Sequence, residues 1–181
     1  TAAPVQTLTR AVTYENTDTD NPTTGARNVR ITINDGDGAT PSNNDVTITV
    51  AGANDAPTAT GIPASVTVTE DAASNVDLSA VSFADVDGDS LTVTLTAAAG
   101  TFAATSGGGV TVGGSGTGTL TLAGTVANIN TFLDTTTNIQ YTTASNSNTA
   151  TSFTVQANDS TVNPTLGTVT FNIMPVNDVP V

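Results

Sequence analysis

The sequence predicts an all-β fold, built from β-sandwich modules in tandem with one short helix in each module. Three observations support this prediction. Short runs of apolar residues alternate with threonine, glycine-rich clusters separate these runs, and residues 53–57 recur as residues 176–180. Alternation with a period of two is typical of strands, and short strands joined by glycine-rich turns are typical of a sandwich. The recurrence indicates that the chain contains more than one copy of a module.

Eight runs predict half-buried antiparallel strands, because each places apolar side chains on one face and small polar side chains on the other. Threonine suits the solvent face because it is β-branched and can still form hydrogen bonds. In chain order, the apolar residues of the runs are Val29, Ile31 and Ile33; Val46, Ile48 and Val50; Val66 and Val68; Leu91, Val93 and Leu95; Val110 and Val112; Leu120 and Leu122; Phe153, Val155 and Ala157; and Val169, Phe171 and Ile173.

One segment departs from the strand pattern and predicts a short helix. Residues 125–133 place apolar side chains at helical spacing, with Thr125 available as the N-cap. Several of its residues are β-branched, so packing on the sandwich must hold the helix in place. A weaker counterpart occupies Pro4 to Leu8.

The recurrence divides the chain into two predicted domains. Residues 1–55 match the C-terminal half of a module, residues 56–178 form a complete module, and residues 179–181 begin the linker to a further one. Three segments of the first domain have counterparts in the second. Residues 12–14 match 139–141, residues 30–36 match 154–160, and residues 46–50 match 169–173.

The first domain is therefore predicted to hold a short helix and about three strands, without counterparts of residues 66–70, 76–83 or 91–95. Three strands cannot close a two-layer core, so their apolar faces and strand edges would be exposed. We expect the missing strands to come either from upstream polypeptide or from a neighbouring chain that exchanges strands.

The composition excludes several classes of function. The chain has 16 acidic residues against three arginines and no lysine, for a net charge of −13, which excludes binding to nucleic acid or to an acidic membrane surface. It has no histidine and no cysteine, so the usual general bases, disulfides and zinc sites are not available. The composition leaves a hydrolase with two catalytic carboxylates open, but we expect no enzymatic activity. No apolar run is long enough for direct membrane insertion.

The acidic loop Asp85-Val86-Asp87-Gly88-Asp89 directly precedes a predicted strand. Carboxylates at alternate positions of a tight loop repel one another unless a hard divalent cation such as Ca²⁺ binds between them. The alternative is a solvated turn, since aspartate and glycine are common turn residues. An EF-hand fits poorly, because the glycine is the fourth residue of the loop rather than the sixth and Thr96 stands at the twelfth position.

Together these residues resemble the cadherin-like repeats of large bacterial surface and secreted adhesins. The recurring segments Ala53-Asn54-Asp55-Ala56-Pro57 and Val176-Asn177-Asp178-Val179-Pro180 are similar to shortened cadherin linkers. Asp85-Val86-Asp87 resembles the Asp-x-Asp motif of the family, Glu70 its glutamate late in the first strand, and Ala157-Asn158-Asp159 its late Ala-x-Asp motif. The resemblance implies a Greek-key sandwich of the cadherin or immunoglobulin type, with Ca²⁺ where two modules meet.

The resemblance also implies a set of calcium ligands at each end of the complete module. One set is Asp85, Asp87, Asp89 and Asp159 together with Asn54 and Asp55 of the joint. The other set is Glu70, with Asp71 beside it, together with Asn177 and Asp178. Asp35 would face a preceding module, whereas Asp45, Asp77 and Asp134 are expected to be turn or capping residues.

The function that this resemblance implies is structural and adhesive. The chain would be a calcium-rigidified spacer of an extracellular or cell-surface protein, with neighbouring repeats of the same protein as its partners. Millimolar extracellular calcium fits the weak affinity of such modules. The alternatives are a carbohydrate-binding sandwich, an ice-binding surface suggested by the Thr-x-Thr runs, and a strand-exchanging subunit of an extracellular filament.

Overall fold

The computed structural model describes residues 7, 9–18, 20–34 and 42–178, with the side chains of Ser42 and Asn43 excepted. The chain forms two compact units, Thr1–Asn54 and Asp55–Val181, divided one residue before the predicted boundary. The helix predicted over Pro4 to Leu8 lies outside the described residues apart from Thr7, which is helical. The linker predicted at residues 179–181 also lies outside them.

The first unit contains an antiparallel hairpin of two long strands. Strand β1 (Gly25–Ile33) pairs with β2 (Ser42–Val50), with Val29 opposite Val46. On the solvent face, Arg30 donates to Asp45 across the hairpin at 2.7 Å.

The prediction of about three strands in this unit is wrong for the part of it that the structure describes. Residues 12–14 are irregular, although their counterparts in the second unit form a strand. That strand pairs with two others, and the two partners lie in segments without a match in residues 1–54. A strand needs a paired edge, so the sequence match alone does not make residues 12–14 extended.

The second unit contains eleven strands in the described residues. They are β3 (Thr58–Thr60), β4 (Ser65–Thr69), β5 (Ser74–Asn75), β6 (Ser82–Ala84), β7 (Ser90–Ala97), β8 (Thr101–Ala104), β9 (Thr111–Gly113), β10 (Thr119–Thr125), β11 (Ile139–Thr142), β12 (Thr151–Asn158) and β13 (Thr165–Met174). Six of them form one sheet in the order β4-β13-β12-β7-β10-β9, in which β4 and β13 are parallel. Three more form the sheet β5-β11-β8, and β3 pairs with β6. The predicted all-β fold is confirmed.

The core lies between the six-stranded and three-stranded sheets. Phe102 and Tyr141 project from the smaller sheet, and Phe153 and Phe171 project from the larger one. Tyr141 stacks on Phe171 with ring centroids 3.9 Å apart, and Phe102 meets Phe153 edge to face at 5.4 Å. Each buried aromatic ring contributes about 2–3 kcal/mol through the apolar area that it removes from water. These rings therefore hold the two layers together.

The helix α1 (Val126–Leu133) closes one side of this core, as the spacing of its apolar residues predicts. The Thr125 side chain accepts from the backbone N–H of Asn128, so Thr125 is the N-cap. The apolar face buries Ile129, Phe132 and Leu133. This part of the prediction is confirmed.

The internal repeat extends to the register of the strands. In the first unit Val29 is opposite Val46, and in the second unit Phe153 is opposite Val169. These are the pairs that the sequence match relates to each other, since residues of β1 lie 124 positions before those of β12 and residues of β2 lie 123 positions before those of β13. The hairpin β1–β2 is therefore a structural equivalent of β12–β13.

The strand directions give the second unit two opposite ends. At one end lie the residues that follow β4, β11 and β13, which we call the Glu70 end. At the other end lie the residues that follow β6 and β12 and precede β3 and β7, which we call the Asp85 end. Every predicted ligand in the second unit lies in one of these two places.

Candidate metal centres

The acidic residues of the second unit have no basic side chain to pair with. Residues 55–181 contain ten aspartates or glutamates and no lysine, arginine or histidine. All three arginines precede residue 54. Carboxylates that approach one another in this unit therefore repel, unless a hydrogen-bond donor or a bound cation compensates them.

Three carboxylates meet at the Glu70 end. Glu70, Asp71 and Asp178 each offer one oxygen, and these oxygens lie within 4.8 Å of one another. Among the described residues, no other three carboxylates meet this criterion. The strand pairing explains why these carboxylates lie close together, because β4 and β13 run parallel and Thr69 is the partner of Met174. Residues that follow these two strands emerge side by side.

Glu70 is held in place by backbone groups of the segment after β13. Its N–H donates to the carbonyl of Met174 at 2.9 Å, and its Oε2 accepts from the N–H of Val176 at 2.9 Å. The residue is only 3% exposed. Burying a carboxylate costs free energy when no positive charge lies nearby, so the burial of Glu70 makes it a candidate ligand of a cation.

Asp71 is fixed by the loop that follows β11. Its N–H donates to Thr143 Oγ1 at 3.0 Å, and its Oδ1 accepts from the N–H of Asn146 at 2.9 Å. The backbone of Asp71 is in the left-handed region, with φ of 56°. A non-glycine residue adopts this conformation at a cost, and these hydrogen bonds offset it.

The donor set at the Glu70 end fits a hard cation. Calcium takes oxygen ligands at about 2.3–2.6 Å, so two ligands of one ion lie no more than about 5 Å apart. The 4.8 Å limit for Glu70, Asp71 and Asp178 satisfies this condition. Asn177, which was predicted for the same end, is exposed, and its amide donates to the carbonyl of Asp178 at 3.4 Å.

The Asp85 end brings the joint and the acidic loop together. The N–H of Asp55 donates to Asp87 Oδ2 at 2.7 Å. Within the loop, the N–H of Asp89 donates to Asp85 Oδ1 at 3.2 Å. In the part of the chain that the structure describes, Asp85 Oδ2 is the buried side-chain oxygen that lacks a hydrogen-bond partner. An unpaired buried carboxylate oxygen is a candidate ligand atom.

Asp159 is also buried, but backbone groups of its own turn use one of its oxygens. Its Oδ1 accepts from the N–H groups of Thr161 and Val162, each at 2.7 Å. No three carboxylates of Asp55, Asp85, Asp87, Asp89 and Asp159 lie within 4.8 Å of one another. Asn54 is exposed at the end of the first unit. Asp35 lies outside the described residues.

Of the three acids that were expected to be turn or capping residues, Asp77 and Asp134 are placed in this way and Asp45 is not. Asp77 Oδ1 accepts from the side chain and backbone of Ser79, and these hydrogen bonds lower the pKa of Asp77. Asp134 is the C-cap of α1. Asp45 is instead a strand residue, and its hydrogen bond with Arg30 lowers the pKa of Asp45.

Carbohydrate binding by stacking would need exposed aromatic rings. Tyr141 is 1% exposed and packs against Phe102 and Phe171. Tyr14, the other tyrosine of the chain, is 46% exposed.

Comparison with known proteins gives little further information. No protein-family model matches the sequence, and no curated protein matches it. An endo-fucoidan hydrolase variant from glycoside hydrolase family 107 is similar in structure, with a TM-score of 0.33 and 20% identity. The similarity covers 88% of this chain and 20% of that structure, so this chain spans about a fifth of its length. In the described residues, no helix combines the length and the apolar character needed to cross a membrane.

Proposed function

We propose that this chain is a calcium-stabilised spacer of tandem β-sandwich modules, similar to the bacterial cadherin-like repeats, in an extracellular or cell-surface adhesive protein. The observation that carries the proposal is the meeting of Glu70, Asp71 and Asp178 in a unit without basic side chains. The resemblance of the recurring linkers and of the acidic motifs to those of cadherin-like repeats also supports the proposal. From the same resemblance we propose a Greek-key arrangement of the strands.

Glu70, Asp71 and Asp178 are the residues that would hold an ion at the Glu70 end. Asp85 and Asp87, with Asp55 of the joint, would hold an ion at the Asp85 end once their carboxylates move closer together, because no three of them lie within 4.8 Å of one another in the structure. Bound calcium supplies positive charge that compensates the facing carboxylates. The protein contributes the positions of the ligands, because β4 and β13 direct two chain segments to the same point.

This arrangement explains why the acids lie at the ends of a sandwich rather than on its faces. Asp178 belongs to the second copy of the recurring linker, and Asp55 belongs to the first copy. A ligand in the linker and a ligand in the body of a module together restrict the direction in which the chain leaves that module. A row of such modules is stiff when calcium is bound, and the neighbouring repeats are its principal partners.

The test compares thermal unfolding of the parent and of Glu70→Gln, each with calcium and with a chelator. The amide of the variant keeps an acceptor for the N–H of Val176 but removes one negative charge. At about 10 mM calcium and a Kd of about 10⁻⁴ M, binding stabilises the parent by about 2.7 kcal/mol. We expect Glu70→Gln to lose most of this gain and to be at least as stable as the parent in chelator.

Asp134→Asn is the matched control, because Asp134 is an exposed acid at the C-cap of α1 and lies outside both proposed sites. This variant should keep the full response to calcium. Identical unfolding curves of the parent with calcium and with chelator would exclude the proposed role of the ion.

A further inference from the structure

The equivalent hairpins of the two units differ sharply in burial. Val169 is fully buried, whereas its counterpart Val46 is 42% exposed. Ala157 is likewise fully buried, whereas its counterpart Ile33 is 44% exposed. Val29 pairs with Val46 as Phe153 pairs with Val169, so at these positions the difference does not come from the pairing within the hairpin. The two registers diverge only beyond Val155, where β12 has a bulge. The difference in burial comes from the neighbouring strands that cover each hairpin.

In the second unit both outer edges of the hairpin are paired. Strand β7 runs antiparallel to β12, and β4 runs parallel to β13. In the first unit β1 and β2 pair with each other and with no other described strand. Among the described residues, neither outer edge of this hairpin has the strand partner that its counterpart has, and its apolar face is more exposed.

The tyrosines give a second, independent comparison. Tyr141 donates from its hydroxyl to the carbonyl of Ala99 at 2.6 Å and contacts the ring of Phe102. Tyr14, its counterpart, is 46% exposed. It lines an open groove of the first unit together with Val12, Val29, Ile31, Val46 and Ile48.

Apart from Phe171, whose counterpart in the first unit is Ile48, the groups that bury Tyr141 come from one region of the chain. Ala99 and Phe102 lie in residues 56–123, as do β5 and β8, which pair with β11. Strands β4 and β7, which cover the hairpin edges, lie there too. Residues 1–54 have no match to this region.

We propose that the first unit is the receiving half of a split β-sandwich, and that its occupant is a polypeptide segment of the same kind as residues 56–123. The occupant adds one strand parallel to β2 and one strand antiparallel to β1. A further strand of the occupant pairs with residues 12–14 and makes them extended. This inference is independent of calcium binding.

The hairpin edges identify the occupant as a polypeptide. The outer edges of β1 and β2 pair with no other described strand, and a sheet edge is continued by an added strand and not by a compact small ligand. The occupant is not a second copy of this chain, because residues 56–123 of each copy already complete its own second unit. Its chemistry is that of β4 and β7, in which apolar residues alternate with threonine or serine.

The test extends the full chain at its N-terminus with a second copy of residues 56–123. Hydrogen exchange of the amides in β1 and β2 is then compared with that of the parent chain. We expect exchange in both strands to slow at least tenfold, the added copy of β4 to become protected, and light scattering to report a monomer. A control extension carries Val66→Asp, Val68→Asp and Val93→Asp in the added copy and should leave exchange in β1 and β2 at the parent rate.

A variant of the receiving half completes the test. Ile48→Asp in the extended chain should abolish the gain in protection, and in the parent chain it should leave exchange in β12 and β13 unchanged. Unprotected β1 and β2 in the extended chain would overturn the proposal, whether or not the added copy is folded. A parent chain that forms a defined dimer with β1 and β2 protected would also overturn it, since a second copy would then be the occupant.

Discussion

Tyr141 shows how one residue connects the layers of the sandwich. Its ring stacks on Phe171 of the larger sheet, and its hydroxyl donates to Ala99 in the loop between β7 and β8. The side chain is almost completely removed from solvent. It therefore contributes through apolar burial, through a ring contact and through one buried hydrogen bond.

We predict that Tyr141→Phe lowers the free energy of unfolding by about 1 kcal/mol, because the carbonyl of Ala99 loses its hydroxyl donor. Burial also raises the pKa of Tyr141. Its contribution to stability is therefore complete below the unfolded value of about 10 and is lost as the pH rises through the higher folded value.

Denaturant unfolding between neutral pH and pH 11 measures both effects. The parent should lose stability above about pH 10, and Tyr141→Phe should lose less. Tyr14→Phe is the matched control, because Tyr14 is largely exposed; it should change neither quantity. Equal alkaline losses in all three proteins would contradict the assignment to Tyr141.

The positions and hydrogen bonds of single acidic residues could be predicted from the sequence only in part. The sequence placed Glu70 and Asp71 at one end with Asp178, although Glu70 and Asp178 are 108 positions apart. The resemblance of its motifs to those of cadherin-like repeats led to that prediction. That Asp85 Oδ2 has no hydrogen-bond partner could not be predicted, because this depends on where the folded loop directs its backbone N–H groups.

Among the elements, α1 has an unusual attachment to the sheet. The Asn130 side chain accepts from the N–H of Phe83 at 2.9 Å and donates to the carbonyl of the same residue at 3.0 Å. It pairs with the backbone of β6 in the way that a neighbouring strand would. The short strand β6 is thus paired with β3 on one side and with a helix side chain on the other.

We predict that Asn130→Ala lowers the free energy of unfolding by about 2 kcal/mol, because both backbone groups of Phe83 lose their partners. Chemical denaturation measures the change. Asn128→Ala is the matched control on the same helix, since the Asn128 amide makes only a long contact of 3.5 Å with the carbonyl of Gly109. That control should cost less than about 0.5 kcal/mol. Similar losses in the two variants would contradict the strand-like role of Asn130.

The long strands were predictable because their alternation repeats over several residues. Strands β3, β5 and β8 were not predicted as strands, and β6 overlaps only the end of the predicted segment 76–83; each of the four has only two to four residues. A run of that length has no measurable period, and the neighbouring strand decides its conformation. Residues 12–14 are the opposite case. Their sequence matches that of β11, but they have no neighbouring strand to pair with in the described residues and remain irregular.

On the scale of the whole molecule, the two units differ in what they bury. The buried apolar core consists of residues of the second unit, from Val68 to Phe171. The apolar side chains of the hairpin in the first unit remain half-buried or exposed. Since hydrophobic burial supplies most of the stability of a small domain, the two units should not unfold as one.

We predict that amides of β1 and β2 exchange at least a hundredfold faster than the equivalent amides of β12 and β13, measured in the parent chain under native conditions. The second hairpin is an internal control for the amides before the bulge that follows Val155, because up to that point its register is the same and its cover differs. Equal protection of the two hairpins would show that the first unit is stabilised by contacts other than those described.

The position of all three arginines in the first unit has a consequence for proteolysis. Trypsin cleaves after lysine and arginine, and its three possible sites in this chain are Arg10, Arg27 and Arg30. Residues 31–181 are therefore resistant to this protease whether they are folded or unfolded. Two of the three sites lie within β1, where cleavage requires the strand to open. The rate of cleavage after Arg27 and Arg30 thus reports on the hairpin of the first unit, and the second unit is released within the uncut fragment 31–181.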